Sequence, residues 1–474
     1  MRLFYTVMLL AVFLTGCAST GDWSSDTPTK ANPKSSKAQR VNLANQSVSK
    51  IYAPSDNLWI RIREGFQMEP MNTPIEIEQV RWLSARPDYV NRSMTRSSRY
   101  LFYIVQEVNA RNMPTEIALL PFVESAFVTH AKSSAKAVGL WQFMPATGKD
   151  FRLTQNVFRD ERRDVLQSTD AALDYLQRLY NQFGSWELAL AAYNWGAGNI
   201  SKAQKRNLAA GLPIDYESLT MPRETRNYVP KLMAYRQIVL DPKAYGIVLP
   251  ELENHPYFLA LDIDNDIDVA LVIKLAEIPE DEFQSLNPSF NKPVILSNAN
   301  QQILLPFAHA EIFQANLKAY TKPLSSWTAV QVSKTESVDQ AAKNLGVEAE
   351  TLRSVNNIPR GMRIKAGSTV LIPKTSRRPG DVSTAMAENA SLSLEKPAPP
   401  TPKCAKTAKG GKAAKCQASK PSVASEKGSS KGNSSKNNAA SQHKSASTEL
   451  AKSAKNGSSA PPSTKGGASS QKLQ

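Results

Sequence analysis

Cysteine and histidine are scarce here, three and four residues in a chain of 474. That excludes a disulfide-stapled scaffold and leaves no spacing of ligands for a dedicated zinc site, so neither a metal nor a cofactor is expected. Long apolar runs are missing beyond residue 16, where none approaches the roughly 20 residues that a membrane-spanning helix needs, which excludes a polytopic membrane protein. Aromatic residues are absent from Ser376 to Gln474, and this segment also holds 17 basic against 5 acidic residues, hence +12 of the net +16. The basic balance belongs to the tail and gives no reason to expect a nucleic-acid-binding fold, since base stacking would need the missing rings. What remains is enough chain for two to four domains.

The first residues bear on the compartment. Met1-Arg2 is a minimal positive start, Leu3 to Phe13 is apolar, and Leu14-Thr15-Gly16-Cys17 places small residues before a cysteine, which reads as a secretory signal over residues 1–16. These last four residues resemble the bacterial lipobox. The resemblance implies that Cys17 is lipidated and heads the mature protein; an ordinary signal peptide with an incidental cysteine is the alternative. Ala18, rather than an Asp, after the cysteine implies the periplasmic face of an outer membrane. Each buried acyl CH₂ contributes about 0.8 kcal/mol, so several chains on one residue anchor firmly. Residues 17–56, rich in Ser, Lys, Asn and Thr, read as a tether.

From Asn57 to Tyr245 apolar residues recur at helical spacing, predicting an all-α domain over 57–245. Ala172, Tyr175, Leu176, Leu179, Tyr180 and Phe183 follow the 3–4 rhythm of one helix, with Ser168 as its N-cap and Gly184 just past its end; Ser185 restarts a helix through Trp186 and Leu190. After Pro250 the texture changes to short Val/Ile/Leu runs broken by Pro, Asn and Asp. A shift of 69 residues lays Ile278 on Val347, Phe283 on Leu352, Leu286 on Val355 and Asn287 on Asn356, and a shift of 67 lays Leu305-Pro306 on Ile372-Pro373. Such a repeat predicts two small units of one fold, over 250–310 and 327–374. In the second, Val330-Gln331-Val332 reads as a strand, Ser337 with Gln340 as a capping box, Glu348 to Val355 as a second helix and Thr369 to Ile372 as a closing strand.

This β-α-α-β order resembles the LysM module, a family that binds N-acetylglucosamine in peptidoglycan and chitin. Val330-Gln331-Val332 stands where that family has aromatic-Thr-Val, Thr335-Glu336 stands where it has Gly-Asp, and the first copy is more degenerate, with a purely structural spacer as its alternative reading. The Lys/Ala/Ser/Gly/Pro tail over 376–474 is expected to be disordered and to add nothing to a core. Cys404 and Cys416 lie within it with nothing to position them.

Four segments of the helical region carry chemistry. Glu124-Ser125-Ala126-Phe127 ends a helix that starts near Pro114; a carboxylate among Phe122, Val123 and Phe127 is poorly solvated, which raises its pKa as a general acid requires, unless the side chain lies on the outer face. Gly139-Leu140-Trp141-Gln142-Phe143-Met144-Pro145 reads in isolation as core, with a helix opening at Pro145. Ala192-Tyr193-Asn194-Trp195-Gly196-Ala197-Gly198-Asn199 sets aromatics beside amides and permissive glycines, a mixture suited to sugar rings and N-acetyl groups. Glu224 to Lys231 brings a phenol, Tyr228, to the start of the last helix.

In this order the four segments resemble the lytic transglycosylase family with the goose-lysozyme-like fold, whose patterns are Glu-Ser, Gly-Leu-Met-Gln-x-Met-Pro, Ala-Tyr-Asn-x-Gly and a late Tyr. Trp141 in place of Met is the clear departure. The expected architecture is multi-domain: an all-α lysozyme-like catalytic domain with its core at about 107–240, then small α+β (βααβ) LysM-like modules and the tail. By motif position the resemblance implies Glu124 as the catalytic residue, with Ser125, Ser133, Gln142, Tyr193, Asn194 and Tyr228 binding substrate. The implied partner is the peptidoglycan glycan strand, with no nucleic acid, and the implied reaction cleaves between N-acetylmuramic acid and N-acetylglucosamine to leave a 1,6-anhydromuramic end.

A carboxylate count agrees. Hydrolytic glycosidases generally use two carboxylates, whereas these segments hold only Glu124 and Glu224, the latter heading a helix where capping alone favours an acid. A single carboxylate must then serve as acid and afterwards as base. The alternatives are a lysozyme-type hydrolase on the same fold and a non-catalytic peptidoglycan-binding lipoprotein.

Overall fold

The computed structural model describes residues 57–397 apart from 300, 301 and 377. The signal, the tether, Cys17, Cys404, Cys416 and the tail beyond 397 lie outside the described residues.

Eleven helices come first among the described residues: α1 (Leu58–Glu64), α2 (Pro74–Ser84), α3 (Pro87–Ser97), α4 (Leu101–Ala110), a 3₁₀ turn (Thr115–Leu119) running into α5 (Leu120–Glu124), α6 (Pro145–Asp150), α7 (Val165–Phe183), α8 (Trp186–Trp195), α9 (Ala197–Ala209), α10 (Arg223–Arg226) and α11 (Tyr228–Leu240). Local chemistry sets several of their ends. Thr73 accepts from the Glu76 amide ahead of Pro74, and Ser185 accepts from the Leu188 amide, each meeting an orphan donor of a first turn. Gly184, at φ +71°, lets the chain leave α7 in the left-handed region.

The start of α7 corrects the sequence reading. Its cap is Asp164, whose carboxylate accepts from the Leu166 and Gln167 amides at 3.0 Å. Ser168 is instead buried within the first turn, its hydroxyl donating to the Asp164 carbonyl. Two residues competed for one cap, and the carboxylate meets two amides.

α11 is the axis of this region. Leu232, Met233, Ala234, Tyr235, Ile238 and Val239 are all inaccessible to solvent, so the helix is apolar on nearly every side, as befits a central helix. Burying each large side chain is worth about 1.5–3 kcal/mol, and this fixes the helix that carries Tyr228 at its first position and Lys231 one turn on.

Two repeats follow. The first has β1 (Phe258–Asp262), β2 (Ile267–Asp268), α12 (Val269–Ala276), α13 (Glu280–Leu286), β3 (Val294–Ile295) and β4 (Gln302–Pro306), then α14 (Phe307–Ala319); the second has β5 (Trp327–Gln331), β6 (Glu336–Ser337), α15 (Val338–Leu345), α16 (Ala349–Val355), β7 (Arg363–Ile364) and β8 (Thr369–Pro373). β1 pairs antiparallel with β4, Phe258 opposite Pro306, and β5 pairs with β8 in the same way, Trp327 opposite Pro373. The correspondence extends to one buried side chain. Asn287 donates to the Leu304 carbonyl and accepts from the Leu304 amide, both at 2.8 Å, while Asn356 makes the same pair of bonds with Leu371 at the same distances. In each copy an asparagine stands in for a neighbouring strand. In the second unit Ser337 caps α15 through the Gln340 amide, but the Gln340 side chain goes to Asn344 rather than back to Ser337, so only half of a capping box forms.

Two boundaries move. The first unit runs past residue 310, because α14 places Ala310 and Phe313 in its core. The second does not end before 376: α17 (Thr384–Asn389) and β9 (Leu394–Glu395) follow, with β9 pairing onto β7 and Val382, Ala387 and Ala390 buried. Val382, Ala387 and Ala390 share a cluster with Phe158 of the helical region, Val294 and Leu296 of the first unit, and Ala329 and Leu371 of the second. Small aliphatic side chains suffice for a seam already lined by larger ones, so the lack of aromatics misleads as far as residue 395. The seam is polar too: Asp266 accepts from the Val382 amide at 2.8 Å and Asn156 donates to the Ala387 carbonyl at 2.9 Å. Between the helices and the first unit, the Arg99 guanidinium grips Glu282 and Tyr100 donates to the Ser285 carbonyl.

Candidate active site

Glu124 is the last residue of α5, a five-residue helix wedged against α11, and its side chain is 4 % exposed. Sequence left open which way this carboxylate faces; it faces inward. Immediately after Ser125 the backbone takes two successive left-handed steps, Ala126 at φ +50° and Phe127 at φ +57°. Non-glycine residues hold such angles only when their surroundings over-determine them. Here Phe127 lies edge-on to Phe122 at 4.5 Å and stacks on Tyr100, and Arg96 donates to the Ala126 carbonyl at 2.9 Å. The turn therefore has one position, and so does the carboxylate before it.

Tyr228 donates its hydroxyl to the Glu124 carboxylate across 104 residues of sequence. Lys231 donates to the Val123 carbonyl at 3.4 Å. Burial pushes the Glu124 carboxyl up to about 7, against the opposing pull of the Tyr228 hydrogen bond and the Lys231 charge, with Glu224 pushing the same way as burial. Burial likewise drives Lys231 down to about 8 and holds both Tyr228 and Tyr193 well above the ordinary phenol range. At neutral pH Tyr228 is thus a neutral donor, and Glu124 stands near half-protonation.

The loop from 128 to 144 forms another side. Gly139 sits at φ +84°, and a Cβ there would meet the Arg162 carbonyl at 2.2 Å, so only glycine fits. Arg162 bolts the loop down by donating to the carbonyls of Lys136 and Phe143. Ser125 donates to the Leu140 carbonyl at 2.9 Å, fastening the loop to α5. Gln142, left-handed at φ +49°, donates its amide nitrogen to the Gly139 carbonyl at 2.9 Å, while its Oε1 is buried and has no hydrogen-bond partner. Leaving such an acceptor unmet costs about 1–3 kcal/mol, a cost a bound donor would remove. Trp141, the departure from the family pattern, is fully buried and donates its indole N–H to Thr169 at 3.0 Å, so the larger ring has its own partner.

The expected residues therefore divide. Glu124 and Tyr228 are in direct contact, Tyr193 donates to the Trp141 carbonyl at 2.8 Å with the Glu124 charge acting on it, and Ser125 and Gln142 fix the intervening loop. Asn194 is tied to Thr225 at 2.8 Å, holding α8 against α10 just before Tyr228. The Ser133 hydroxyl accepts from the Ala137 amide at 3.0 Å, closing a tight loop. Lys231 was missed as a site residue; the available signal was its i+3 spacing from Tyr228, which puts both on one helix face. Glu224 is exposed on α10.

Comparison with known proteins adds to this geometry. A family model described as the transglycosylase SLT domain matches residues 103–211, a span that takes in Glu124, Ser125, Ser133, Gln142, Tyr193 and Asn194 and stops short of Tyr228. A second, described as the LysM-like domain of lytic transglycosylase MltD, matches residues 257–322, the repeat whose sequence is the more degenerate. Membrane-bound lytic murein transglycosylase D of Escherichia coli strain K12 is 32% identical over 382 residues, covering 77% of this chain and 84% of the relative, and the protein of that name from Escherichia coli O6:H1 matches equally. A solved structure, the 70 kDa soluble lytic transglycosylase of Escherichia coli, overlaps 36% of this chain and 31% of its own at 21% identity with a TM-score of 0.25.

Proposed function

Since the chain belongs to the lytic transglycosylase family, as a relative of membrane-bound lytic murein transglycosylase D, we propose that Glu124 is the single group that acts as both acid and base on the peptidoglycan strand. The observation that carries this reading is a carboxyl 4 % exposed, held near pKa 7 by burial and hydrogen-bonded by a neutral phenol. Such a group has a proton to give at neutral pH and, once ionised, is basic enough to take one back.

Glu124 protonates the oxygen between N-acetylmuramic acid and N-acetylglucosamine, and that bond to C1 breaks. The resulting carboxylate then removes the proton of the C6 hydroxyl as O6 bonds to C1, leaving a 1,6-anhydromuramic end with no water consumed. Tyr228 keeps one carboxyl oxygen occupied, which directs the other toward the glycan. The unmet Gln142 Oε1 suits an N–H or hydroxyl of the sugar, and Tyr193 supports the Trp141 carbonyl beside it. Ser125 and Asn194 position this frame, and Ser133 has a hydroxyl hydrogen left to offer substrate.

The repeats, the first of which matches a LysM-like family model, are proposed to hold glycan near the helical domain. Cys17 is proposed as a lipid anchor at the periplasmic face of the outer membrane; among the described residues no helix is long and apolar enough to cross a membrane. Product analysis of purified murein digested by the protein tests the reaction. Anhydromuramic ends are expected, whereas reducing muramic ends alone would hand the second step to water and favour a lysozyme-type hydrolase.

A further inference from the structure

We propose that Lys231 is a positioning residue of this reaction: its ammonium, one turn of α11 beyond Tyr228 and bonded to the Val123 carbonyl, is the counter-cation that lets one carboxyl act twice. The inference rests on Glu124 being the acid.

The side chain is costly where it lies. Lys231 is half-buried, so its ammonium gives up part of its hydration, which one carbonyl at 3.4 Å only partly replaces, and burial lowers its proton affinity accordingly. A methionine would fill the same space without this cost, so packing gives no reason for a cation. The groups whose charge acts on it are Glu124 from α5 and Glu224 from α10. Those acting on Glu124 are Lys231, Glu224 and the Tyr228 hydroxyl, with Tyr193 from α8 feeling the Glu124 charge in turn. Both phenols are neutral at working pH, and Glu224 repels the carboxylate. Among the described residues Lys231 is the cation that opposes burial at Glu124.

The chemistry needs such an opposition. In the first step the Glu124 proton passes to the glycosidic oxygen, the C1–O bond breaks toward that oxygen, and a carboxylate is left in a dry pocket. Without a counter-charge that carboxylate is so unfavourable that the acid form holds its proton and donates poorly. Lys231 stabilises the carboxylate between the two steps. In the second step the carboxylate takes the C6 hydroxyl proton while O6 closes on C1, which restores Glu124 and leaves Lys231 unchanged, so no co-reactant is required.

The test compares wild type, Lys231→Met, Lys231→Gln and Lys231→Arg in the full chain, following release of anhydro-muropeptides from purified murein between pH 5 and 9. Removing the cation leaves Glu124 protonated to higher pH. The alkaline limb of the Met and Gln variants is expected to move up by on the order of one pH unit, with the rate at the optimum down at least tenfold. Arg should keep the limb in place. Gln retains a donor for the Val123 carbonyl and gives the answer if Met does not fold. A uniform fall at every pH with an unmoved limb, or an Arg variant that behaves like Met, would overturn the proposal. Failure of the underlying reading looks different: Glu124→Gln would then remain active whatever stands at 231.

Discussion

Glu124→Gln separates a catalytic carboxyl from a structural one, because the two roles move stability and activity in opposite directions. The folded-state pKa of about 7 lies above the unfolded value of 4.5, so between these pH values the unfolded chain has released a proton that the folded chain still holds. Stability attributable to this group is intact below pH 4.5, falls as pH rises toward 7 and is flat beyond. A gap of two to three pKa units at 1.36 kcal/mol each corresponds to about 3 kcal/mol. Gln cannot ionise and still accepts from the Tyr228 hydroxyl, so the variant escapes this cost, less whatever Lys231 loses with its charge partner. At pH 8 it should melt several degrees above wild type, and at pH 4.5 the two should nearly coincide. Activity should collapse, since general acid and base help are each worth roughly 10²–10⁴-fold. Thermal melts at the two pH values and chromatography of digested murein read both quantities. Parallel melting curves at both pH values, or comparable release of anhydro ends by the variant, would refute the reasoning.

In the wild type, release of anhydro-muropeptides should fall above about pH 7 as Glu124 loses its proton, visible in a pH–rate profile on purified murein. Truncation after residue 397 should leave the melting temperature unchanged, whereas truncation after 376 removes Val382, Ala387, Ala390 and β9 and should cost roughly 3–5 kcal/mol by area burial, an upper bound that differential scanning calorimetry would measure. Gly139→Ala forces a Cβ onto the Arg162 carbonyl at a left-handed φ, so it should destabilise by at least about 1–3 kcal/mol and disturb the loop carrying Gln142; a denaturant melt beside the activity assay detects both. Cys17→Ser should move the protein from membranes to soluble periplasmic extract, and unchanged fractionation would count against the anchor.

Much of this protein follows from short-range chemistry and was therefore open to reading in the sequence. Helical spacing and the Gly184-Ser185 junction mark α7 and α8, because caps and left-handed exits are decided by neighbours in the chain. The repeat was visible through matched apolar positions and through Asn287 and Asn356, although what those two asparagines do, pairing with a strand 15 to 17 residues on, needs the folded chain. The four motifs single out Glu124, Gln142, Tyr193 and Tyr228 as candidates, because each lies in a short segment whose composition can be read without the fold.

Other features depended on partners distant in sequence. Whether Glu124 faces water or core is set by α11, more than 100 residues away, and its proton affinity follows from that burial. Lys231 gains meaning only where its helix meets the Val123 carbonyl. Asp164 displaced Ser168 as the cap of α7, and it also accepts from Ser289 of the first repeat at 3.1 Å, a contact no local rule contains. Composition misjudged residues 382–395 for the same reason. Three small aliphatic side chains cannot build a core, but they can complete one whose other walls are Phe158, Leu296 and Leu371. Local sequence fixes what the backbone prefers, while the dielectric around a charge and the lining of a seam depend on everything packed against them, and only the tertiary structure brings those pieces together.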